Sequence, residues 1–464
     1  MRGHVRPFRG DILPLSAGRH APRGQRALLA EGQCGGAVGY RSPDDVSEVT
    51  KVPKHERLGV ATTILALCLG LVAVVGAAHA QIPLIGKAWV RHTVDDSSRG
   101  ADGVRLADVN GDGLLDVTTG WEEGGVVRVC INPGHEKAKL KWPAVTVGRV
   151  RSVEDAVFLD VDRDGAIDVV SCCEGKVRTM FVHWAPKRRE DYLNPSKWET
   201  QAIPASQNKM MWMFCAPVDI DGDGDMDIFA GGKQQGAEIG WWELPENPRN
   251  LDAWRWLPLR KVGWIMSLIA ADMDADGDAD LLASDRKGPA RGCFWLENPG
   301  GKRAAEQPWR EHAIGAQGRE IMFITLADLD DDGLQDVLAA VRPREIWWFK
   351  RADKSGEKWS TQVITLPEAT GTTKAVCVGD INGDGVKDIV ATCEQAKGEL
   401  LGTVWVSFQD AQNKQWVAHN ISGGEGIKYD LVKLIDLDGD GDLDVLTCEE
   451  AANLGVFWYE NPLH

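Results

Sequence analysis

Asp108-Val109-Asn110-Gly111-Asp112-Gly113-Leu114-Leu115-Asp116 is the first of seven copies of one nine-residue pattern. Asp stands at its first, fifth and ninth places, Asp or Asn at the third, and Gly at the sixth. The later copies begin at Asp160, Asp219, Asp272, Asp328, Asp380 and Asp436, so that successive starts lie 52, 59, 53, 56, 52 and 56 residues apart. Self-similarity at such a period marks a repeat architecture rather than a string of unrelated domains.

Around each acidic stretch the sequence reads as four short strands. An apolar segment such as Trp264-Ile-Met-Ser-Leu-Ile enters it and an aliphatic run such as Asp388-Ile-Val-Ala-Thr leaves it. A Trp-rich strand follows, as in Gly240-Trp241-Trp242-Glu243 or Val456-Phe-Trp458-Tyr, and the last strand opens near another Trp (Trp142, Trp198, Trp254, Trp309, Trp359, Trp416). Alternation and β-branched content favour strands, and no window offers an amphipathic helix. Four strands in each of seven units predict an all-β fold, a seven-bladed β-propeller with four-stranded blades. The fourth-strand pattern also occurs early, at Trp89-Val-Arg-His-Thr-Val94, while the chain ends one strand short of a blade. The N-terminal strand is therefore expected to complete the last blade and close the ring over residues 89–462.

Residues 1–58 form a basic preface rich in Arg, Gly and Pro, without apolar periodicity. Residues 59–80 have the layout of a signal peptide, an uncharged apolar run ending in Ala78-His79-Ala80. Secretion, or a periplasmic or cell-surface location, is the expectation, with an uncleaved membrane anchor as the alternative. The long preface leaves open an over-extended start of the reading frame.

The formal net charge is −17. Residues 1–80 hold ten Lys/Arg against six Asp/Glu, which leaves −21 on the remainder. That balance excludes a basic nucleic-acid face. Seven divalent cations would return most of it to neutrality.

Calcium takes six to eight oxygen ligands from carboxylates, carbonyls and water. The expected ligands are Asp108, Asn110, Asp112 and Asp116; Asp160, Asp162, Asp164 and Asp168; Asp219, Asp221, Asp223 and Asp227; Asp272, Asp274, Asp276 and Asp280; Asp328, Asp330, Asp332 and Asp336; Asp380, Asn382, Asp384 and Asp388; and Asp436, Asp438, Asp440 and Asp444. The sixth-place Gly permits the sharp turn that makes them converge. An EF-hand would need flanking helices, magnesium keeps its waters, and zinc would want His or Cys. A metal-free Asx turn is plausible once and implausible seven times. Up to seven structural calcium ions are expected, with the first and sixth sites weakened by Asn110 and Asn382.

Eight cysteines follow Ala80; their spread over equivalent points of different repeats predicts free, buried thiols, with the adjacent Cys172-Cys173 pair the one redox candidate. No catalytic motif is present. His92, His312 and His419 each follow a fourth-strand Trp by three residues and are expected to be structural. If there is a ligand surface, it is the face opposite the acidic loops. Candidates there are Glu154, Lys209, Trp212, Trp264, Arg319, Glu320, Lys374 and Lys428, among neighbours that include Glu122, Lys233, Arg286, Arg342, Glu394 and Glu449. Trp212 and Trp264 precede the first strands of their blades, from where they are expected to reach the mouth of the central channel.

From Trp89 to Pro462 the chain resembles the FG-GAP/VCBS repeat family, the calcium-loop propellers of integrin α-subunit heads and of many secreted bacterial proteins; the Asp-x-Asp-Gly-Asp-Gly-x-x-Asp loops carry the resemblance. It implies metal in the hairpin between the first and second strands, on the face away from the usual ligand surface. The chain lacks the Phe-Gly and Gly-Ala-Pro signatures of integrins, so no integrin-like partner is implied. Two functions compete: an exported binding or scaffold module for a glycan or protein, and a carbohydrate-active enzyme of lyase or dehydratase type. The latter rests on Trp-Leu-Glu-Asn-Pro and Trp-Tyr-Glu-Asn strands similar to those of aldos-2-ulose dehydratase propellers.

Overall fold

The structure, a computed structural model, describes residues 82–410 and 415–464. The preface and the signal-peptide expectation over 59–80 lie outside them. Seven antiparallel sheets run in chain order. Blade 1 consists of Ala101–Ala107, Asp116–Trp121, Val126–Cys130 and Ala144–Gly148. Blades 2 to 6 repeat it over residues 153–202, 211–261, 265–315, 321–365 and 372–420. Blade 7 takes Tyr429–Ile435, Asp444–Glu449 and Gly455–Glu460, and its outer strand is Val90–Asp95 from the start of the propeller. The pairing His92↔Trp458 fixes that register, so the ring closes as the strand count predicts. Short protected edges are the result.

One strand goes beyond the sequence reading. Leu84–Ile85 pairs in parallel with Gln415–Asn420, so blade 6 has five strands. Only two residues pair, too few for a two-fold alternation to reveal. Among the described residues helix is confined to isolated turns such as Arg303–Glu306.

Every second strand is wholly buried, from Asp116–Trp121 to Asp444–Glu449, because each blade is packed on both faces. The tryptophans are placed accordingly. Trp121, Trp241, Trp295 and Trp458 are fully buried. In blades 1 to 4 the Trp that introduces the fourth strand turns its indole N–H onto a carbonyl of the preceding loop: Trp142 to Ala138, Trp198 to Tyr192, Trp254 to Pro248, Trp309 to Ala304. Burial of such a ring contributes about 1.5–3 kcal/mol, and the N–H bond removes the cost of desolvating its polar end.

Three histidines complete cross-strand pairs. His312 stacks on Trp295 at 3.9 Å and His419 on Trp405 at 3.7 Å, while His92 lies tilted against Trp458 at 4.6 Å. Cys130, Cys172, Cys173, Cys215, Cys293, Cys393 and Cys448 are buried and outside any disulfide. Burial pushes the Cys172 and Cys173 thiols up, which keeps both protonated and unreactive.

Candidate functional site

The acidic loops join first to second strands, and all seven are built alike. The first Asp accepts the N–H of the sixth-place Gly: Gly113 to Asp108 at 2.8 Å, Gly277 to Asp272 at 3.1 Å, Gly385 to Asp380 at 2.9 Å. That Gly has φ between 84° and 98° in every copy, a region closed to most side chains. The ninth Asp is buried and acts as a staple. Asp444, for example, takes the N–H of Leu437 at 2.9 Å and that of Asn461, beyond the third strand, at 3.0 Å. Burial, reinforced by neighbouring carboxylates, pushes the Asp280 and Asp444 carboxyls up to about 7 and that of Asp227 to about 8. In Asp160/Asp162/Asp168 and Asp219/Asp221/Asp227, three carboxylate oxygens fall within 4.8 Å of one another. Oxygen-only donors at that spacing fit a hard cation. Cations reach the expected ligands in three of the loops: Lys350 pairs with Asp330 and Asp332 in loop 5, Arg249 and Lys187 with acids of loop 2, and Lys139 with Asp438 of loop 7.

At the other end of the same strands the seven blades form a central mouth of about 210 Å³. Two rings of side chains line or border it, each at a fixed distance in sequence from the acidic loops. Six residues before the first Asp stand Asp102, Glu154, Met213, Met266, Met322, Lys374 and Asp430. All lie at or beside a β-bulge in the innermost strand, such as Val153/Asp155, Thr373/Ala375 or Tyr429/Val432, and a bulge re-aims the side chain beside it. Six residues after the ninth Asp stand Glu122, Glu174, Lys233, Arg286, Arg342, Glu394 and Glu450, every one charged.

The two rings divide the mouth into sectors. Blades 6, 7, 1 and 2 supply Glu394, Glu450, Glu122 and Glu174 over Lys374, Asp430, Asp102 and Glu154. Blades 3 to 5 supply Lys233, Arg286 and Arg342 over methionines. Phe214 of blade 3 meets Phe323 of blade 5 at 5.3 Å, edge to face, which gives this sector an apolar floor. Trp264 lines the wall beneath three cations, with Lys233 at 4.6 Å, Arg286 at 4.8 Å and Lys287 at 5.1 Å from its ring. Lys374 pairs with Asp430 at 3.2 Å, Arg342 with Glu394 at 3.2 Å, and Lys428 with Glu450. Burial pushes Glu154 up to about 7 against the pull of Lys233, and Asp102 well above the usual carboxylate range.

Of the sequence candidates, Glu154, Trp264, Lys374 and Lys428 line this mouth. Glu320 stands behind it, holding Arg286 at 3.4 Å and Arg342 at 3.2 Å. Lys209 and Arg319 are taken up in pairs with Glu238 and Glu345. Trp212 does not reach the mouth: it is fully buried against Trp242 and Trp256, its N–H on Ser206. The bulge between Trp212 and Phe214 leaves Met213, not Trp212, at the axis. Glu449 is likewise internal, accepting N–H groups of Ile427, Lys428 and Ala452. Its neighbour Glu450 holds the ring position. Asp102, Glu174, Asp430 and Glu450 escaped the sequence reading, although their constant offset from the loops was available to find them.

A family model described as FG-GAP-like repeat matches residues 215–283 and 295–391. No curated protein matches the chain. Among solved structures, an Agrocybe aegerita lectin described as recognising non-reducing terminal N-acetylglucosamine is 16% identical, with 78% of this chain and 86% of that chain covered and a TM-score of 0.40. BBS1N in complex with ARL6DN, soaked with mercury or with lead, is 10% identical, with 82% and 98% covered and TM-scores of 0.46 and 0.48. Residues 215–283 and 295–391 are thus FG-GAP-like repeats, set in a seven-bladed β-propeller consistent with an FG-GAP repeat family.

Proposed function

We propose that the chain is an exported binding module, a calcium-stabilised propeller that captures a polar glycan or protein ligand at the central mouth. The two rings of mouth residues carry this reading. Fourteen positions at constant offsets from the loops place a charged arc opposite an apolar floor, with an exposed edge of Trp264 on the wall. An aromatic face with convergent polar groups is what a sugar or a mixed peptide surface requires. Calcium in the acidic loops, held by the first, third, fifth and ninth residues, would neutralise carboxylates that otherwise repel and would turn binding energy into folding energy. Glycan-array and protein-capture screening of the protein and its Trp264→Ala variant tests the reading. A ligand retained equally by both would place recognition elsewhere.

One observation favours an enzyme as the second reading. Glu154, held near neutrality beside Lys233, has the pKa of a general acid or base. Turnover of an acidic or neutral glycan lost in Glu154→Gln, with binding retained, would select it.

A further inference from the structure

We infer that the ligand of the mouth is an acidic glycan, whose carboxylate or sulfate groups dock on a basic rim carried by blades 4 and 5. This rests on the binding reading and names the class of ligand.

The protein carries a formal charge of −17, yet three segments of these blades run against it. Residues 285–291, 316–320 and 342–345 hold six Lys/Arg (Arg286, Lys287, Arg291, Arg319, Arg342 and Arg344) against three Asp/Glu. By contrast, residues 449–454 and 121–125, which turn from second to third strand in blades 7 and 1, hold two acids each and no cation. The three basic segments form one continuous surface. Arg291 donates to Gly318 O at 2.6 Å, Arg319 to Arg342 O at 3.3 Å, and the Arg342 N–H to Glu320 O at 3.0 Å. Its inner end is the wall of the mouth, where Arg286 and Lys287 lie against Trp264.

The acids at hand do not use these cations up. Glu320 is shared by Arg286 at 3.4 Å and Arg342 at 3.2 Å, and Arg319 takes Glu345 at 2.7 Å. Arg342 also reaches Glu394, which Lys374 shares. Asp285 is spent on the N–H groups of Gly263, Trp264 and Lys287 and on Arg260. Lys287, Arg291 and Arg344 form no ion pair with an acid among the described residues. Against its partial burial, Arg286, Arg342 and Lys287 hold the Glu320 carboxyl below the usual carboxylate range. Donors are in surplus as well, since Trp264 Nε1 and Arg291 Nε find no acceptor among the described residues.

A guanidinium fork matches the paired oxygens of a carboxylate or sulfate, and a lysine adds a point charge. Across the cavity Glu154 and Glu174 supply acceptors suited to sugar hydroxyls. A sugar that bears an acidic group satisfies both sides at once. A nucleic acid, charged at every residue, would meet those carboxylates.

Calorimetric titration of the full-length protein with hexagalacturonate and its methyl ester, and with dextran sulfate and dextran, tests this. At least one acidic probe should bind about tenfold more tightly than its neutral counterpart, and added salt should weaken it most. The two pairs distinguish a carboxylate ligand from a sulfate. Lys287→Gln/Arg344→Gln removes two cations that hold no ion pair in the fold, and should weaken the acidic probe several-fold. Lys137→Gln/Lys302→Gln, which removes two exposed cations elsewhere, should not. If neither acidic probe binds more tightly than its neutral counterpart, or if the first double variant keeps its full affinity, the inference is overturned. A neutral glycan captured by the parent and lost in Trp264→Ala would keep the binding reading and overturn the acidic ligand alone. Acidic binding that survives Trp264→Ala but falls in Lys287→Gln/Arg344→Gln would keep the acidic ligand on the rim and overturn the mouth as its site.

Discussion

Lys233 donates to Glu154 at 2.7 Å across the boundary between blades 3 and 2, and both side chains are nearly out of solvent, at 8% and 10% exposed. Glu174 pairs with the same ammonium. One cation thus holds two acids in place at the rim of the mouth. Lys233→Met removes that cation and leaves both acids buried, which should cost about 3–5 kcal/mol. The loss should depend on pH. Glu154 already sits at about 7, above its ordinary 4.5, so the folded state binds more protons than the unfolded one and its stability falls as pH rises through that window. Without Lys233 the carboxyl rises further. Denaturant unfolding should therefore show a larger deficit at pH 8 than at pH 5; equal deficits would sink the argument.

Calcium removal should show the same sign on a larger scale. In the metal-free protein the ninth-place carboxyls are raised by burial and then by neighbouring acids, Asp116 to about 6, Asp168 and Asp388 to about 7, Asp227 to about 8. Folded pKa values above the unfolded ones mean stability present at low pH and lost between about pH 4 and pH 8. Calcium in the proposed sites would keep these groups ionised and add stability by mass action. The gap in melting temperature between calcium and EDTA should widen from pH 5 to pH 8. Loops 2 and 5, where Arg249 pairs with Asp162 and Asp164 and Lys350 with Asp330 and Asp332, should fill last. No gap at either pH would show that the loops carry no stabilising ion, and a gap independent of pH would show that the ninth-place carboxyls are not linked to it.

The loops were legible in the sequence because a sixth-place Gly and four acidic or amide residues recur at fixed places. Ring closure was legible because one fourth-strand pattern stood ahead of its blade. The mouth was only half legible, for a geometric reason. A place ahead of the first strand points Trp212 to the mouth, but the bulge between Trp212 and Phe214 leaves Met213 facing the axis. Glu449, a loop cap, and Glu450, a rim acid, are neighbours in the chain that only the offset from Asp444 tells apart. Bulges are invisible to two-fold periodicity. A constant offset from an unmistakable anchor survives them, and it identifies Asp102 and Asp430 as readily as Glu154.

Asn298 and Asn461 are a matched pair of inter-blade ties. Asn461 Nδ2 donates to Ile381 O, 80 residues away, at 2.8 Å, and Asn298 Nδ2 donates to Ile220 O at 2.8 Å. Each also reaches the carbonyl ahead of its own blade's second strand, Leu443 or Ala279. Asn461→Ala strands buried carbonyls and should cost about 1–3 kcal/mol; Asn298→Ala should cost about the same. Chemical denaturation of the two variants checks this, and a loss confined to one would deny their equivalence.

Closure of the ring rests on Val90–Asp95. Its pairing with Gly455–Glu460 brings His92 Nε2 to 2.6 Å from Glu460 and Asp95 to 2.5 Å from Arg128 of blade 1, while Val94 O takes the Trp142 N–H at 3.0 Å. Deleting residues through Asp96 would open the edge of Gly455–Glu460 and uncover the apolar side of blade 7, and an unpaired, flat edge invites association. Deleting only through Gly86 removes the two-residue parallel pairing of Leu84–Ile85 with Ala418 and His419 and leaves the ring intact. The longer deletion should aggregate on size-exclusion chromatography, whereas the shorter should elute as the parent with a melting temperature lowered by a few degrees. A longer deletion that remained dispersed and unfolded at the parent temperature would mean that blade 7 is stable with three strands and that the N-terminal strand is not what closes the ring.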